Sequence, residues 1–163
     1  MKLSALLSTQ PFKRPVSNWI PISSLVLGFL GFLDSIYLTI SHYSGSSVVC
    51  SVVHGCNEVL GSEYAVIFGI PLAVTGVVFY SLVIILSVAF LDERNSLFLK
   101  LLVGLTSAGF LASLWFVYLQ AFVIHAFCLY CLGSAATSSL LFSLSMYIVV
   151  YYIYGNTKGI RED

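Results

Sequence analysis

Four cysteines are the residues whose types and spacing suggest chemistry: Cys50 and Cys56 lie six positions apart, and Cys128 and Cys131 lie three apart. If the second pair lies on a helix, its side chains share one face, and a disulfide between them opens and closes without large backbone movement. The Cys-x-x-Cys spacing by itself also suits half of a metal site, or two buried thiols that pack as small apolar groups. The environment of the pair therefore has to decide among these alternatives.

The composition indicates that membrane-spanning elements position these cysteines. Of the 163 residues, 59% are hydrophobic and 9% are charged, and the mean hydropathy is +0.99. A soluble domain of average composition carries about 25% charged residues. The chain is therefore predicted to be an integral membrane protein.

Uncharged runs predict four spanning helices. Residues 22–42 contain one charged side chain, Asp34, and residues 64–91 contain none. Between Lys100 and Lys158 lie 57 residues without Asp, Glu, Lys or Arg, which would form roughly 85 Å of helix at ~1.5 Å per residue. Because this is more than twice the ~30 Å of a hydrocarbon core, the run must reverse near its midpoint, inside the Cys-x-x-Cys. The predicted fold class is an all-α four-transmembrane-helix bundle, a single domain over 1–163 with helices at about 19–42, 70–91, 98–122 and 127–154 and a cysteine loop at about 43–64.

The basic residues predict the orientation of this bundle. The predicted helices place all seven on one side: Lys2, Lys13, Arg14, Arg94, Lys100, Lys158 and Arg161. Since positively charged segments face the cytoplasm, both termini are expected there. No signal peptide is expected, because the apolar run at 3–7 is too short. All four cysteines then lie together on the exoplasmic face.

Cysteines on that face have three chemical interpretations. Two structural disulfides would persist there, although a bridge that closes a short loop adds little stability. A soft metal could be held with His54 and His125, but neither cysteine-histidine spacing matches a common zinc motif, and no metal is expected. A redox relay would pass two electrons from an outside thiol protein, through both pairs, to an acceptor in the lipid such as a quinone. The relay is favoured, since a Cys-x-x-Cys at a helix N-terminus favours thiolates.

Asp34 is the carboxylate predicted to lie within the first helix. Acids inside a membrane are costly and usually face the bundle interior or water. Two interpretations are equally open from the sequence: proton uptake during quinone reduction, or a structural hydrogen-bonding group.

The ordered set of motifs resembles the vitamin K epoxide reductase family, in its prokaryotic branch. The matching residues are Asp34, Ser35, Ile36, Tyr37, Leu38, Cys50, Cys56, Ser62, Phe68, Gly69, Ile70, Pro71, Phe79, Tyr80, Cys128, Leu129, Tyr130 and Cys131. The resemblance implies a four-helix membrane enzyme, a quinone-dependent thiol-disulfide oxidoreductase. No fused thioredoxin-like domain is expected, so the redox partner would be a separate protein.

The resemblance also implies roles for the cysteines. Cys50 would form the mixed disulfide with a thioredoxin-like or DsbA-like partner. Cys56 would carry electrons to Cys128, and Cys131 would react with the quinone. The enzyme would support disulfide formation in exported proteins from the inner or plasma membrane, with its active site on the periplasmic side. No nucleic acid is expected as a partner.

The electron acceptor implied by the resemblance is ubiquinone or menaquinone, with Ser62, Phe68 and Tyr80 lining its pocket. One alternative is reduction of vitamin K quinone or its epoxide. Animal members that reduce the epoxide carry an asparagine at the start of helix two and a tyrosine four residues after the Cys-x-x-Cys. The matching positions here are Leu72 and Ala135, which argues against epoxide reduction. The other alternative is a non-catalytic membrane protein with structural disulfides.

Overall fold

The computed structural model describes residues 19–45, 48, 55–67, 69–93 and 95–159, with side chains described as far as residue 150 apart from that of Ser96. The elements in chain order are α1 (Trp19–Ser44), α2 (Cys56–Leu60), a 3-10 helix (Glu63–Ala65), β1 (Val66–Ile67), β2 (Ile70–Pro71), α3 (Leu72–Glu93), α4 (Ser96–Leu119), a π-helical turn (Gln120–Ile124) and α5 (Leu129–Gly159).

Four helical segments are long and apolar enough to cross a membrane. They are Trp19–Ser44, Leu72–Glu93, Leu97–Ile124 and Leu129–Val150. Each has the length of about 20 residues that a hydrocarbon core requires. Large apolar side chains such as Phe29, Ile85, Leu111 and Phe122 are exposed on their outer surfaces, where lipid replaces water. The predicted all-α four-helix membrane fold is confirmed, whereas its orientation and its division into one domain stay predictions.

Three buried clusters follow one another along the bundle and show how its helices run. They consist of Ile20, Phe90, Leu99 and Ile148 at one end, of Tyr80, Val83, Leu102 and Leu141 in the middle, and of Leu38, Val48, Cys56, Val59, Ala126 and Cys128 at the other end. The first cluster joins the start of α1 to the end of α3, the start of α4 and the end of α5. Successive long helices are therefore antiparallel, and the cysteine cluster lies opposite the α3–α4 turn.

Tyr80 of α3 joins three helices in the middle of the bundle. Its ring lies against Gly31 of α1, where any side chain would collide with it. Its hydroxyl donates a hydrogen bond to the carbonyl oxygen of Ser134 at 3.0 Å, and lies 2.9 Å from Ser134 Oγ and 2.8 Å from Thr137 Oγ1. Because Ser134 lies one helical turn after Cys131, these bonds fix α3 beside the first turn of α5.

The segment before α3 holds short ordered elements, including a short helix within the predicted cysteine loop at about 43–64. The helix α2 ends at Gly61, whose N–H donates to the carbonyl oxygen of Asn57 at 2.9 Å. The Asn57 side-chain oxygen accepts a hydrogen bond from the N–H of Val48 at 3.0 Å. Strands β1 and β2 then form an antiparallel hairpin, with Gly69 between them at a φ of 79°. These elements cover the cysteine end of the bundle.

The reversal between α4 and α5 determines where the Cys-x-x-Cys begins. The π-helical turn ends at His125, which has a left-handed φ of 56°, and the N–H of Ala126 returns to the carbonyl oxygen of Gln120 at 3.2 Å. A π-helical turn of this kind is often found at functional sites. Helix α5 begins at Leu129, after a non-helical stretch at 125–128. Cys128 therefore precedes the helix, and Cys131 lies in its first turn.

Candidate functional site

Cys128 caps the N-terminus of α5. Its carbonyl oxygen accepts the N–H of Leu132 at 2.9 Å, and its Sγ accepts the N–H of Cys131 at 3.5 Å. A capping side chain that accepts from the third helical N–H satisfies one of the donors left open at a helix start. The cap places the Cys128 sulfur at the positive end of the helix dipole, where a thiolate is stabilised.

The pKa of the Cys128 thiol reflects this position. The pKa of Cys128 is lowered from 9.0 to about 7. The largest cause is a hydrogen bond from the Cys131 thiol, and the backbone N–H groups of Cys131 and Tyr130 act in the same direction, against the opposing effect of burial. A thiol with a pKa near the ambient pH is close to the optimum for thiol-disulfide exchange. Cys128 is therefore suited to exchange with another cysteine.

Gln120 holds the backbone of Cys128 from the other side. Its side chain is 2% exposed, and its Oε1 accepts a hydrogen bond from the Cys128 N–H at 2.9 Å. The two residues are eight positions apart, so the bond spans the whole reversal between α4 and α5. Because a buried N–H without a partner is costly, this bond stabilises the conformation that presents the Cys128 sulfur.

Cys56 belongs to the same buried cluster as Cys128. Their side chains are 1% and 0% exposed, and Cys131 packs against the same cluster. Cys56 is disulfide-bonded, whereas Cys128 and Cys131 carry free thiols. The described cysteines therefore combine a disulfide-bonded Cys56 with a reduced Cys128 and Cys131 pair.

Gly55 allows α2 to approach the stretch before α5. A Cβ atom at this position would lie 2.8 Å from the Phe127 nitrogen, 2.9 Å from the Phe127 oxygen and 2.9 Å from the Ala126 Cβ. Real Cβ atoms essentially never come so close to backbone. The absence of a side chain at Gly55 thus lets the residue before Cys56 touch the residue before Cys128.

A cavity of about 330 Å³ lies inside the bundle next to this cluster. Residues from α1, α2, α3, α4 and α5 line it, and most of its wall is apolar. Cys131 is part of the lining, whereas Cys128 is not. Both cysteines of the Cys-x-x-Cys therefore pack in the cluster that contains Cys56, but Cys131 also borders the cavity.

Polar groups occupy a few places on the cavity wall. Asp34, Ser62, Tyr80 and Ser138 contribute to the lining. Among the described residues, the Asp34 Oδ2 and Ser138 Oγ atoms are buried without a hydrogen-bond partner, and Ser62 Oγ donates to the carbonyl oxygen of Val59 at 2.7 Å. An apolar cleft with a small number of placed polar groups is the usual form of a small-molecule site.

The structure places most of the residues predicted from sequence within this region. Cys56, Cys128 and Cys131 meet in one cluster, while Ser62 and Tyr80 line the cavity. The predicted site residues Cys50 and Phe68 lie outside the described residues.

Sequence reasoning did not identify Gln120 or Gly55. An amide in the long uncharged run near its expected reversal could have pointed to Gln120. Gly55 has a weaker signal, since a glycine in a polar loop is ordinary and its close approach to residues 126–127 depends on the fold.

Comparison with known proteins gives two findings. Residues 22–146 match the Vitamin K epoxide reductase family. The chain is also 42% identical over 123 residues to the Thiol-disulfide oxidoreductase LTO1 of Arabidopsis thaliana, an alignment that covers 70% of this chain and 32% of the relative. The chain thus spans about a third of that relative's length. Because the family match covers most of the chain and includes α1, the cysteine end and the first turns of α5, this protein belongs to the vitamin K epoxide reductase family.

Proposed function

We propose that this membrane protein is a thiol-disulfide oxidoreductase that takes electrons from a thioredoxin-like or DsbA-like protein and passes them to a membrane quinone. The observation that carries the proposal is the position of the Cys-x-x-Cys, because Cys128 shares a buried cluster with Cys56 while Cys131, beside that cluster, borders an apolar cavity. The name of the Arabidopsis relative describes the same class of activity.

The thiol side of the reaction runs through Cys56. A reduced partner opens the disulfide of the first pair by attack on Cys50, and the released Cys56 thiolate attacks Cys128 of the oxidised second pair. The Cys56–Cys128 bond forms, the Cys128–Cys131 bond breaks, and Cys131 leaves as a thiolate. The second thiol of the partner then attacks the mixed disulfide, which releases Cys50 as a thiolate and leaves the partner oxidised. Cys50 attacks Cys56, which restores the first disulfide and releases the Cys128 thiol. The close packing of Cys56 and Cys128 supports this exchange.

The acceptor side of the reaction is supported by the cavity. Its size, its apolar wall and the two unpaired polar atoms on that wall, Asp34 Oδ2 and Ser138 Oγ, fit a flat apolar ring with oxygen atoms. A bound quinone supplies the chemistry of a two-electron, two-proton acceptor. Cys131 faces it, Ser62 and the ring of Tyr80 form parts of the wall, and Phe68 is proposed to complete it. Turnover measured with ubiquinone and with menaquinone separately identifies which of the two quinones is the acceptor.

The cellular setting is proposed from the charges. With the basic residues on the cytoplasmic side, the cysteine end faces the periplasm or another exoplasmic compartment, where secreted proteins acquire disulfides. A separate DsbA-like protein would meet Cys50 there. Loss of the protein from cells is expected to leave exported proteins with free thiols, detected by thiol alkylation of the secreted fraction.

The activity is tested by quinone reduction with the purified protein and a reduced thioredoxin-like dithiol. We expect turnover with ubiquinone or menaquinone, and loss of turnover in Cys131→Ala and Cys128→Ala variants that remain folded. Activity that persists in folded Cys131→Ala would contradict the proposal. A Cys56–Cys128 mixed disulfide trapped in a Cys50→Ala variant would exclude two fixed structural bridges.

Epoxide reduction is the less favoured activity. The two positions that carry asparagine and tyrosine in animal members, Leu72 and Ala135, both line the cavity. Neither side chain has a hydrogen-bond donor for an epoxide oxygen. We therefore expect quinone reduction without measurable epoxide reduction when both substrates are assayed on the same preparation.

A further inference from the structure

Asp34 is an acid in the membrane-spanning part of the molecule. It lies near the middle of α1, which spans Trp19–Ser44. Carboxylates at this depth are costly, and those that occur usually mark a pathway for protons, ions or substrates.

The hydrogen bonding of the Asp34 carboxylate distinguishes a chemical role for this residue from a structural role. A carboxylate that serves to hold helices together is expected to have its oxygens hydrogen-bonded, since buried polar atoms nearly always are. The Oδ2 atom of Asp34 is buried and has no hydrogen-bond partner among the described residues. The residue lines the same cavity as Cys131. A hydrogen-bonding atom that meets no protein partner at the wall of a cavity is available to whatever the cavity holds.

Titratable groups reach this cavity from α1, the 3-10 helix, α3 and α5. The lining includes His42 on α1, Tyr64 in the 3-10 helix, Tyr80 on α3 and Cys131 on α5, and the described lining residues of α4 include none. In the described lining Asp34 is the single carboxyl group.

The Tyr80 hydroxyl is a poor competitor for this role. It is committed to Ser134 and Thr137 at 2.8–3.0 Å. A hydroxyl held by three partners has little freedom to turn toward a ligand, and its ordinary pKa of about 10 makes it a weak acid near neutral pH.

We propose that Asp34 is a catalytic proton carrier, which takes protons from the Cys128–Cys131 dithiol and delivers them to the oxygen atoms of the quinone in the cavity. This inference rests on the proposed quinone-linked function and adds a residue to it.

When both thiols are protonated, two S–H bonds break, one Cys128–Cys131 S–S bond forms, and two electrons leave the dithiol for the quinone, which becomes a hydroquinone. The Asp34 carboxylate accepts the proton from Cys131 Sγ and releases it to a quinone oxygen. The proton from Cys128 follows by the same carboxylate to the other oxygen. Asp34 ends each turnover in the state in which it began.

The test compares Asp34→Asn with Asp92→Asn, which makes the same change at an exposed residue near the end of α3. The dithiol form of each protein is mixed with quinone, and its single-turnover oxidation is followed. We expect oxidation to slow by about 100-fold or more in Asp34→Asn, the usual contribution of a positioned acid-base group, and to be unchanged in Asp92→Asn. Reduction of the protein by the thiol partner, measured without quinone, is expected to keep its rate in both variants.

A second measurement does not depend on turnover. Infrared difference spectra between the disulfide and dithiol forms, recorded without quinone, should show a carboxyl band shift in the wild type and in Asp92→Asn that is absent in Asp34→Asn. If Asp34→Asn does not fold, the wild-type spectrum and the Asp34→Glu variant, expected to retain oxidation by quinone, decide the question.

Wild-type oxidation rates in folded Asp34→Asn, or a wild-type spectrum with no carboxyl change, would overturn the proposal for Asp34. Failure of the wild-type protein itself to be oxidised by any quinone would instead overturn the proposed function. The two failures are therefore distinguishable.

Discussion

The Cys128 thiol owes its reactivity to where the chain places it rather than to its residue type. A cysteine at the N-cap receives the N–H groups that begin a helix, and here the adjacent Cys131 thiol adds a further hydrogen bond. Cys131, three residues later, has the cavity beside it instead. Two identical side chains thus have different surroundings, which supports the two different tasks proposed for them in a relay.

The pH dependence of Cys128 tests this description. In a Cys50→Ser, Cys56→Ser background, we expect the first thiol to titrate near the pKa of about 7 that the Cys131 hydrogen bond produces, so that Cys128 is mostly thiolate at pH 8. Cys131→Ala removes the largest cause of the lowered pKa and should move the transition up toward 9.0. The ultraviolet absorbance of the thiolate measures both. An unchanged midpoint in Cys131→Ala would contradict the assignment, and Cys128→Ala should abolish the early transition.

Gln120 is expected to stabilise the reversal before α5. Gln120→Met keeps the shape of the side chain but removes the acceptor of the Cys128 N–H, and leaving that donor unpaired should cost about 1–3 kcal/mol. Chemical unfolding in detergent measures the loss of stability. Gln120→Glu, which keeps an Oε1 acceptor, should retain more of the stability than Gln120→Met. Equal losses in the two variants would show that the hydrogen bond is not the cause.

At the scale of elements, function depends on how closely α2 meets the stretch at 125–128. The contact is made by backbone at Gly55 and Phe127, so it leaves no space for side-chain adjustment. The backbone contact between α2 and the stretch at 125–128 therefore places Cys56 and Cys128 in one cluster.

Gly55→Ala should separate these two parts. The added Cβ would collide with the Phe127 backbone, and a displacement of about 1 Å between reacting groups can slow a reaction by about 100-fold. We expect slower formation of the Cys56–Cys128 mixed disulfide in a Cys50→Ala, Cys131→Ala background, measured by non-reducing electrophoresis. Gly104→Ala is the matched control, because a Cβ there meets nothing within 4 Å. Equal rates in the two glycine variants would show that the close approach does not limit exchange.

Tyr80 contacts α1 through its ring and α5 through its hydroxyl. Substitutions of Tyr80 can therefore test ring packing and hydrogen bonding separately. Tyr80→Phe removes the bonds to Ser134 and Thr137 but keeps the ring against Gly31, and should cost about 0.5–1.5 kcal/mol of stability. Tyr80→Ala also removes the 1% exposed ring and should cost about 3–5 kcal/mol. Thermal unfolding in detergent measures both variants. A larger loss in Tyr80→Phe than in Tyr80→Ala would contradict the packing described here.

At the scale of the whole molecule, the bundle separates its charged turn from its cysteines by the full thickness of a membrane. The α3–α4 turn lies at one end, beside the start of α1 and the end of α5, and the cysteine cluster lies at the other. The prediction that the charged turn faces the cytoplasm rests on the positions of the basic residues.

Labelling of single cysteines tests the orientation. In a cysteine-free background, we expect Glu58→Cys to react with an impermeant maleimide added outside intact cells, and Glu93→Cys to react after permeabilisation. Both positions are exposed acids, one on α2 and the other at the end of α3, so they form a matched pair. The opposite pattern would invert the predicted topology and remove the exoplasmic setting from the proposed function.

Much of the architecture could be predicted because it depends on local properties of the chain. The lengths of uncharged runs indicated four helices, and the midpoint of the longest run indicated where it reverses. The start of α5 at Leu129 and the short helix α2 were less accessible, since hydrogen bonds to residues such as Gln120 and Asn57 determine those ends.

The sequence by itself determined that this is a four-helix membrane protein with a Cys-x-x-Cys at a membrane surface, and its motifs were sufficient to indicate the family. Only the tertiary structure decided which cysteine borders the cavity, that Gly55 touches Phe127, and that Asp34 Oδ2 meets no hydrogen-bond partner in the part of the chain that the structure describes. The physical reason is that hydropathy and charge act along the chain, whereas a cavity and a thiol's neighbours arise from residues far apart in sequence. The spacing of the cysteines along the chain therefore predicts where they lie, whereas the packing of the helices determines which residues surround each of them.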